Sequence, residues 1–282
     1  MTTKSRKNII ALIYDFDGTL SPQPMQEYTV LPAIGVEPAE FWADVTRETH
    51  ETGGEDIITY MRMMYERADA AKVPFTRNDL KEMGHSVPYF KGVDTWFDRM
   101  DAHVAKGSDD SIETRHYIIS SGLKEILEGV SIYERFHNVF ASEYYFDHYG
   151  HARYPNRVIT DTTKTQYLFR INKGIEDLSK NINSHMPERQ RPIPFSNMIY
   201  FGDGLTDVPS MAVTRANGGY AVAVHAPRKD KSACQTLLRE KRCDFYAAAD
   251  YRDKSDLERR TKLILNKVIA NILLQAELAT LK

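Results

Sequence analysis

Two acidic clusters carry the strongest chemical signal in the chain. The first is Asp15-Phe16-Asp17-Gly18-Thr19-Leu20, directly after the apolar run Ile9–Tyr14. Carboxylates on alternate residues of an extended chain face the same way, and a following glycine permits a tight turn and a close backbone approach. An Asp-Gly turn accounts for one aspartate but not for two at the tip of a buried strand. The second cluster is Gly202-Asp203-Gly204-Leu205-Thr206-Asp207, after the run Met198–Phe201. Taken alone, it reads equally well as a glycine turn followed by an N-capping aspartate. Two acidic strand ends in one sheet, however, predict carboxylates that repel one another unless a cation sits among them. Oxygen-only ligands point to a hard cation, usually Mg²⁺, with positions left for water and substrate phosphate. The nine histidines are scattered and form no site for a softer metal, and His148 and His151 read as a hairpin tip.

Two further positions would serve an anion beside those carboxylates. Ser120 ends a strand in Tyr117-Ile118-Ile119-Ser120-Ser121-Gly122. A hydroxyl there, with backbone amides at the start of a following helix, would bind an anion; residue type alone equally allows a plain N-cap. Its place at a strand end favours function. Lys164 and Lys173 compete for a cationic role. Lys173 precedes Gly174 and is explained by a helix carboxyl end, which favours a cation and a C′ glycine. Lys164, in Thr162-Thr163-Lys164-Thr165, opposes the dipole at a helix start and is the better candidate. A Gly-x-x-x-x-Gly-Lys-Ser/Thr loop does not occur, and Gly202-x-Gly204 lacks the third glycine of a dinucleotide fingerprint.

The elements that must position these residues follow from the apolar runs. Ile9–Tyr14, Tyr117–Ile119, Met198–Phe201 and Tyr220–Val224 read as buried parallel strands. Phe245–Ala249 is a weaker fifth, and Val139–Ser142 with Tyr144–Phe146 leads into a hairpin around Asp147–His151. Helical stretches at Leu123–Phe136, Lys164–Lys173 and Val208–Arg215 alternate with them, as in an α/β, doubly wound, mainly parallel sheet. Ligands of such sheets gather at the carboxyl ends of the strands, where the polar residues fall. From about Met25 to Gly107 the texture is helical, at Ala39–Thr49, Asp56–Ala71, Asn78–Met83 and Val93–Lys106, which predicts a helical cap (25–107) inserted after the first strand of a core formed by 1–24 and 108–282. Lys254–Lys282 has helical apolar spacing and predicts a helix packed on the sheet or on another subunit.

The chain has 282 residues, enough for one large domain or two modest ones, with 42% hydrophobic and 27% charged residues, which sets aside disordered and fibrous classes. A formal net charge of −2 gives no global field for nucleic acid or an anionic membrane. The basic residues Arg228, Lys229, Lys231, Arg239, Lys241 and Arg242 are interleaved with acids and read as a solvated face. Cys234 and Cys243 make neither a disulfide framework nor a four-thiolate zinc site. Met1–Lys7 is polar and basic, and no targeting or spanning segment is evident, so the expected location is the cytoplasm.

The order Asp15-x-Asp17-Gly-Thr, Ser120, Lys164, Gly202-Asp203-Gly-x-x-Asp207 resembles the four motifs of the haloacid dehalogenase (HAD) superfamily, in its phosphatase branch and close in layout to phosphoserine-phosphatase-like members. The resemblance covers the core; the cap resembles a type C1 cap in position and helical character. It implies a HAD-like, Rossmann-like core and a Mg²⁺-dependent phosphomonoesterase acting on a small phosphorylated metabolite. Asp15 would be the nucleophile that forms an aspartyl-phosphate, and Asp17 the acid and base. Asp15, the backbone carbonyl of Asp17 and Asp203 would hold Mg²⁺. Ser120 and Lys164 would grip phosphate oxygens, with Asp207 orienting Lys164 or bonding metal-bound water. Ser121, beside Ser120, competes for the second-motif hydroxyl. A phosphomutase or phosphotransferase of the same fold, and a non-catalytic phospho-ligand-binding protein, are the alternatives; Asp17 argues against a dehalogenase. In the cap, Tyr28, Phe41, Trp42, Arg47, Tyr60, Arg62 and Arg67 are candidate substrate contacts, with core packing and surface exposure as equal explanations. The oligomeric state is open.

Overall fold

The computed structural model describes residues 8–281; the basic Met1–Lys7 segment and Lys282 lie outside the described residues. In chain order the elements are β1 (Ile9–Tyr14), α1 (Val30–Ala33), α2 (Pro38–Thr52), α3 (Asp56–Ala70), α4 (Arg77–Met83), α5 (Val93–Ser108), β2 (Glu113–Leu123), α6 (Lys124–Leu127), β3 (Asn138–Phe146), β4 (Ala152–Arg157), α7 (Lys164–Lys173), β5 (Met198–Gly202), α8 (Val208–Ala216), β6 (Tyr220–His225), α9 (Ser232–Arg239), β7 (Phe245–Ala248) and α10 (Asp256–Thr280). The strands form one sheet in the order β4-β3-β2-β1-β5-β6-β7, parallel except for the β3–β4 hairpin. Strand order reverses between β1 and β5, which puts the two acidic motifs on either side of the switch point where such sheets bind ligands.

The continuous apolar strands are explained by burial on both faces. Ile10, Leu12 and Tyr14 of β1 join Ile199 and Phe201 of β5 in one core layer; Ala11 and Ile13 join Met198 and Tyr200 in the other. The first layer is covered by α5 and α10, the second by α7, α8 and α9. Within the 25–107 stretch, α5 lies on the sheet: the Trp96 ring stands 6.2 Å from Phe201 and 5.0 Å from Tyr251 in edge-on contacts. Its indole N–H donates to Tyr14 Oη at 2.9 Å, and the hydroxyl lies 3.1 Å from His116 Nδ1, so the buried polar atoms are partnered.

One expectation needs correction. Leu123–Phe136 is no continuous helix: β2 runs on to Leu123, α6 is one turn, and a short 3₁₀ turn follows at Tyr133–Arg135. The cause is Gly129, where a Cβ would stand 1.7 Å from Lys81 O; the chain bends to let α4 lie directly on the backbone after α6. The helix expected within Lys254–Lys282 is α10, which by length and composition is apolar enough to cross a membrane, with mean hydropathy 1.3. Its Leu257, Leu265, Val268 and Ile269 are nonetheless buried in the core layer shared with α5, while Leu263, Leu273, Leu274 and Leu278 are exposed.

Candidate active site

Side-chain alternation along β1 directs the site. Tyr14 points into the α5 layer, so Asp15 turns toward the opposite layer, where α7 begins. There Lys164, the first residue of α7, reaches Asp15 Oδ1 at 3.0 Å and Asp207 Oδ1 at 2.8 Å, with all three residues buried. Lys173, at the other end of α7, donates instead to the Ile182 and Ser184 carbonyls at 2.6 and 3.0 Å. Gly174 follows it with φ +62°, the capping glycine its sequence position suggested.

After Asp15 the chain turns tightly. Phe16 O accepts from the amides of Thr19, Leu20 and Ser21, and Gly18 adopts φ +76°. The turn brings Gly18 against Asp203: a Cβ at Gly18 would lie 2.2 Å from Asp203 Oδ2. Asp207 immediately precedes α8 but its side chain does not cap it; its Oδ2 accepts from Asp203 N–H at 3.1 Å, and its Oδ1 from Lys164 and from Tyr200 Oη, the latter at 2.7 Å. One carboxylate oxygen from each of Asp15, Asp203 and Asp207 can lie within 4.8 Å of the others. The Asp17 carboxylate is outside this set. Its Oδ1 accepts from Met25 N–H at 2.9 Å, on the side of the inserted helices.

Burial, followed for Asp203 by the charges of Asp15 and Asp207, pushes that carboxyl up to about 8. Burial raises Asp15 to about 6 although Lys164 pulls it down. Asp17 is raised well above its ordinary value by burial and then by Asp15. Lys164 is held protonated, since Asp15 and Asp207 outweigh its own desolvation. The cluster thus has more negative charge than its one lysine balances, and its donors are all oxygen. Both features fit a hard divalent cation.

Ser120 is buried and its Oγ accepts from Gly122 N–H at 3.0 Å. Since β2 continues to Leu123, it does not sit at a helix start, and the helix-terminus argument for it falls. A Cβ at Gly122 would come within 3.1 Å of Asp17 Oδ2, so the Ser120–Gly122 segment of β2 borders Asp17. Tyr200 escaped the sequence reading because a tyrosine inside an apolar strand looks like core. Of the cap candidates, Trp42 and Tyr60 line a pocket with Asp17, whereas Phe41 is buried. Arg47 and Arg67 pair with Asp44, and Arg62 with Glu48 and Glu66.

This arrangement, acidic strand ends around a buried lysine at a switch point, is that of an α/β hydrolase, and the comparisons agree. The chain belongs to the haloacid dehalogenase-like hydrolase family, whose model matches residues 12–212. An uncharacterised protein of Borreliella burgdorferi is 30% identical over 237 residues, which is 74% of this chain and 79% of the relative. Among solved structures, a HAD family hydrolase from Salmonella enterica serovar Typhi matches with TM-score 0.59 and 15% identity, over 91% of this chain and 71% of that one. A phosphoserine phosphatase in apo form matches with TM-score 0.54 and 13% identity, over 90% and 98%. A probable phosphoserine phosphatase from Vibrio cholerae matches with TM-score 0.56 and 14% identity, over 96% and 68%. At these identities the likeness is one of fold.

Proposed function

We propose that the protein is a Mg²⁺-dependent phosphomonoesterase that acts on a small phosphorylated metabolite in the cytoplasm through an aspartyl-phosphate. The observation that carries this reading is the buried Lys164, 3.0 Å from Asp15 and 2.8 Å from Asp207, beside an oxygen-only cluster. In this reading an Asp15 oxygen attacks phosphorus and the ester oxygen leaves with a proton from Asp17. Asp17 then takes a proton from the water that hydrolyses the intermediate. Its proton affinity, raised by burial and by the Asp15 charge, suits the first of these roles. Lys164 holds a phosphate oxygen while Asp207, itself fixed by Tyr200, fixes the lysine. Ser120 uses its oxygen to accept from Gly122 N–H and donates its proton to phosphate. Asp15, the Asp17 carbonyl and Asp203 would hold Mg²⁺, with Asp207 near enough to join them. The ion supplies the positive charge that lets neighbouring carboxylates ionise and offsets the charge of the phosphate.

The helices α1–α4 act as the cap in this proposal. They close over Asp17 to exclude water, while α5 stays with the sheet. Inorganic phosphate release from a panel of phosphorylated metabolites, measured in Mg²⁺ and in EDTA beside Asp15→Asn, tests the proposal. Release that needs Mg²⁺ and vanishes in the variant is expected. An isomerised ester without free phosphate would make the protein a mutase, and turnover of no ester at all would overturn the enzyme reading.

A further inference from the structure

Above Asp17, α2, α3 and the Ser121-Gly122 end of β2 line a pocket of about 280 Å³. The side-chain donors of Trp42, Tyr60 and Thr46 in its walls are already engaged. Trp42 Nε1 donates to Glu27 Oε1 at 2.9 Å, Tyr60 Oη to Ser121 O at 2.8 Å, and Thr46 Oγ1 to Trp42 O at 2.9 Å. What faces the space is rich in electrons. The Trp42 and Tyr60 rings meet edge to face with centroids 5.8 Å apart, and the exposed Asp56 stands at the rim. Gln26, 2% exposed, lines the same pocket, and its Oε1 is buried without a hydrogen-bond partner. No lysine, arginine or histidine lines the pocket, and the arginines of α2 and α3 are tied to Asp44, Glu48 and Glu66.

We infer that this pocket takes the alcohol portion of a short phosphomonoester that carries a protonated amine and no carboxylate. The inference rests on the phosphatase reading and narrows its substrate. An ammonium group gains from aromatic faces, supplies the N–H that the orphaned Gln26 acceptor lacks, and is balanced by Asp56. A substrate carboxylate would enter a space that already holds the Asp56 carboxylate and has no cationic side chain, and would be turned away.

Kinetics on four esters test this: 2-aminoethyl phosphate, its uncharged isostere propyl phosphate, O-phosphoserine, which adds a carboxylate to the amine, and p-nitrophenyl phosphate. The aminoethyl ester should have the highest kcat/KM of the first three. In Asp56→Asn the ratio of aminoethyl to propyl ester should fall by about fivefold, the size of a half-exposed ion pair. Arg47→Ala, outside the pocket, should leave that ratio as it is. Equal or better turnover of phosphoserine or propyl phosphate, or an Asp56→Asn ratio equal to the wild type, overturns the inference and leaves the phosphatase reading standing. So does hydrolysis of p-nitrophenyl phosphate alone. Hydrolysis of none of the four overturns the inference, and sinks the phosphatase reading as well only if the wider panel is also left intact.

Discussion

Gly18 has no side chain because Asp203 occupies the space one would need. Its φ of +76° already disfavours other residues, and a Cβ would lie 2.2 Å from Asp203 Oδ2. Gly18→Ala therefore acts on the position of a proposed metal ligand more than on the core. The Mg²⁺ concentration for half-maximal phosphate release should rise about tenfold or more, as for other changes just behind a ligand. An unchanged Mg²⁺ requirement would remove Asp203 from the ligand set. At this scale the sequence was legible where residue type clashed with surroundings: aspartates after apolar runs, and a lysine at a helix start. Tyr200 suited its strand and gave no such signal. The amide of Met25 that holds Asp17 was illegible for a deeper reason, since every residue except proline has the same donor.

The inserted helices and the sheet meet where α4 lies on α6, and Glu125 of α6 is sealed beneath that contact. Its Oε1 accepts from Tyr144 N–H at 3.1 Å, its Oε2 has no partner, and Arg77 is 3.9 Å away. Burial raises its carboxyl from 4.5 to about 7. A folded-state value above the unfolded one means that the protonated form is favoured by folding. The contribution is complete below about pH 4.5 and is lost as pH rises through about 7. The whole loss is on the order of 3 kcal/mol, and Glu125→Gln should abolish it. Urea unfolding of both proteins at intervals from pH 4.5 to 8 measures the difference; parallel stability curves would show that Glu125 does not titrate in this window. Helices and strands with clear periodicity were legible, as α7 and β1 show. The break after α6 was not, because Gly129 inside a helical pattern reveals its purpose only once Lys81, far away in sequence, is seen against it.

Over the whole molecule, the alternation of strands and helices was readable while their neighbours were not. No local pattern says that β1 lies between β2 and β5, yet that order brings Asp15 and Asp203 together. The far edge of the same sheet offers a test of how it opens. Cys234 on α9 and Cys243 before β7 are free, 1% exposed, and in the core layer under α9. Burial pushes both thiols up from 9.0 to about 11. At a given pH that leaves about a hundredfold less thiolate than in an exposed cysteine, and what forms is shielded by packing. The native protein should therefore resist a thiol reagent such as 5,5′-dithiobis(2-nitrobenzoate) at pH 8, whereas both thiols should react at once in denaturant. If the edge opens only with the rest of the sheet, the slow native reaction should weaken with urea at the same slope as global unfolding. A shallower slope would mean that α9 and β7 detach by themselves, leaving the β1–β5 switch point and its carboxylates intact.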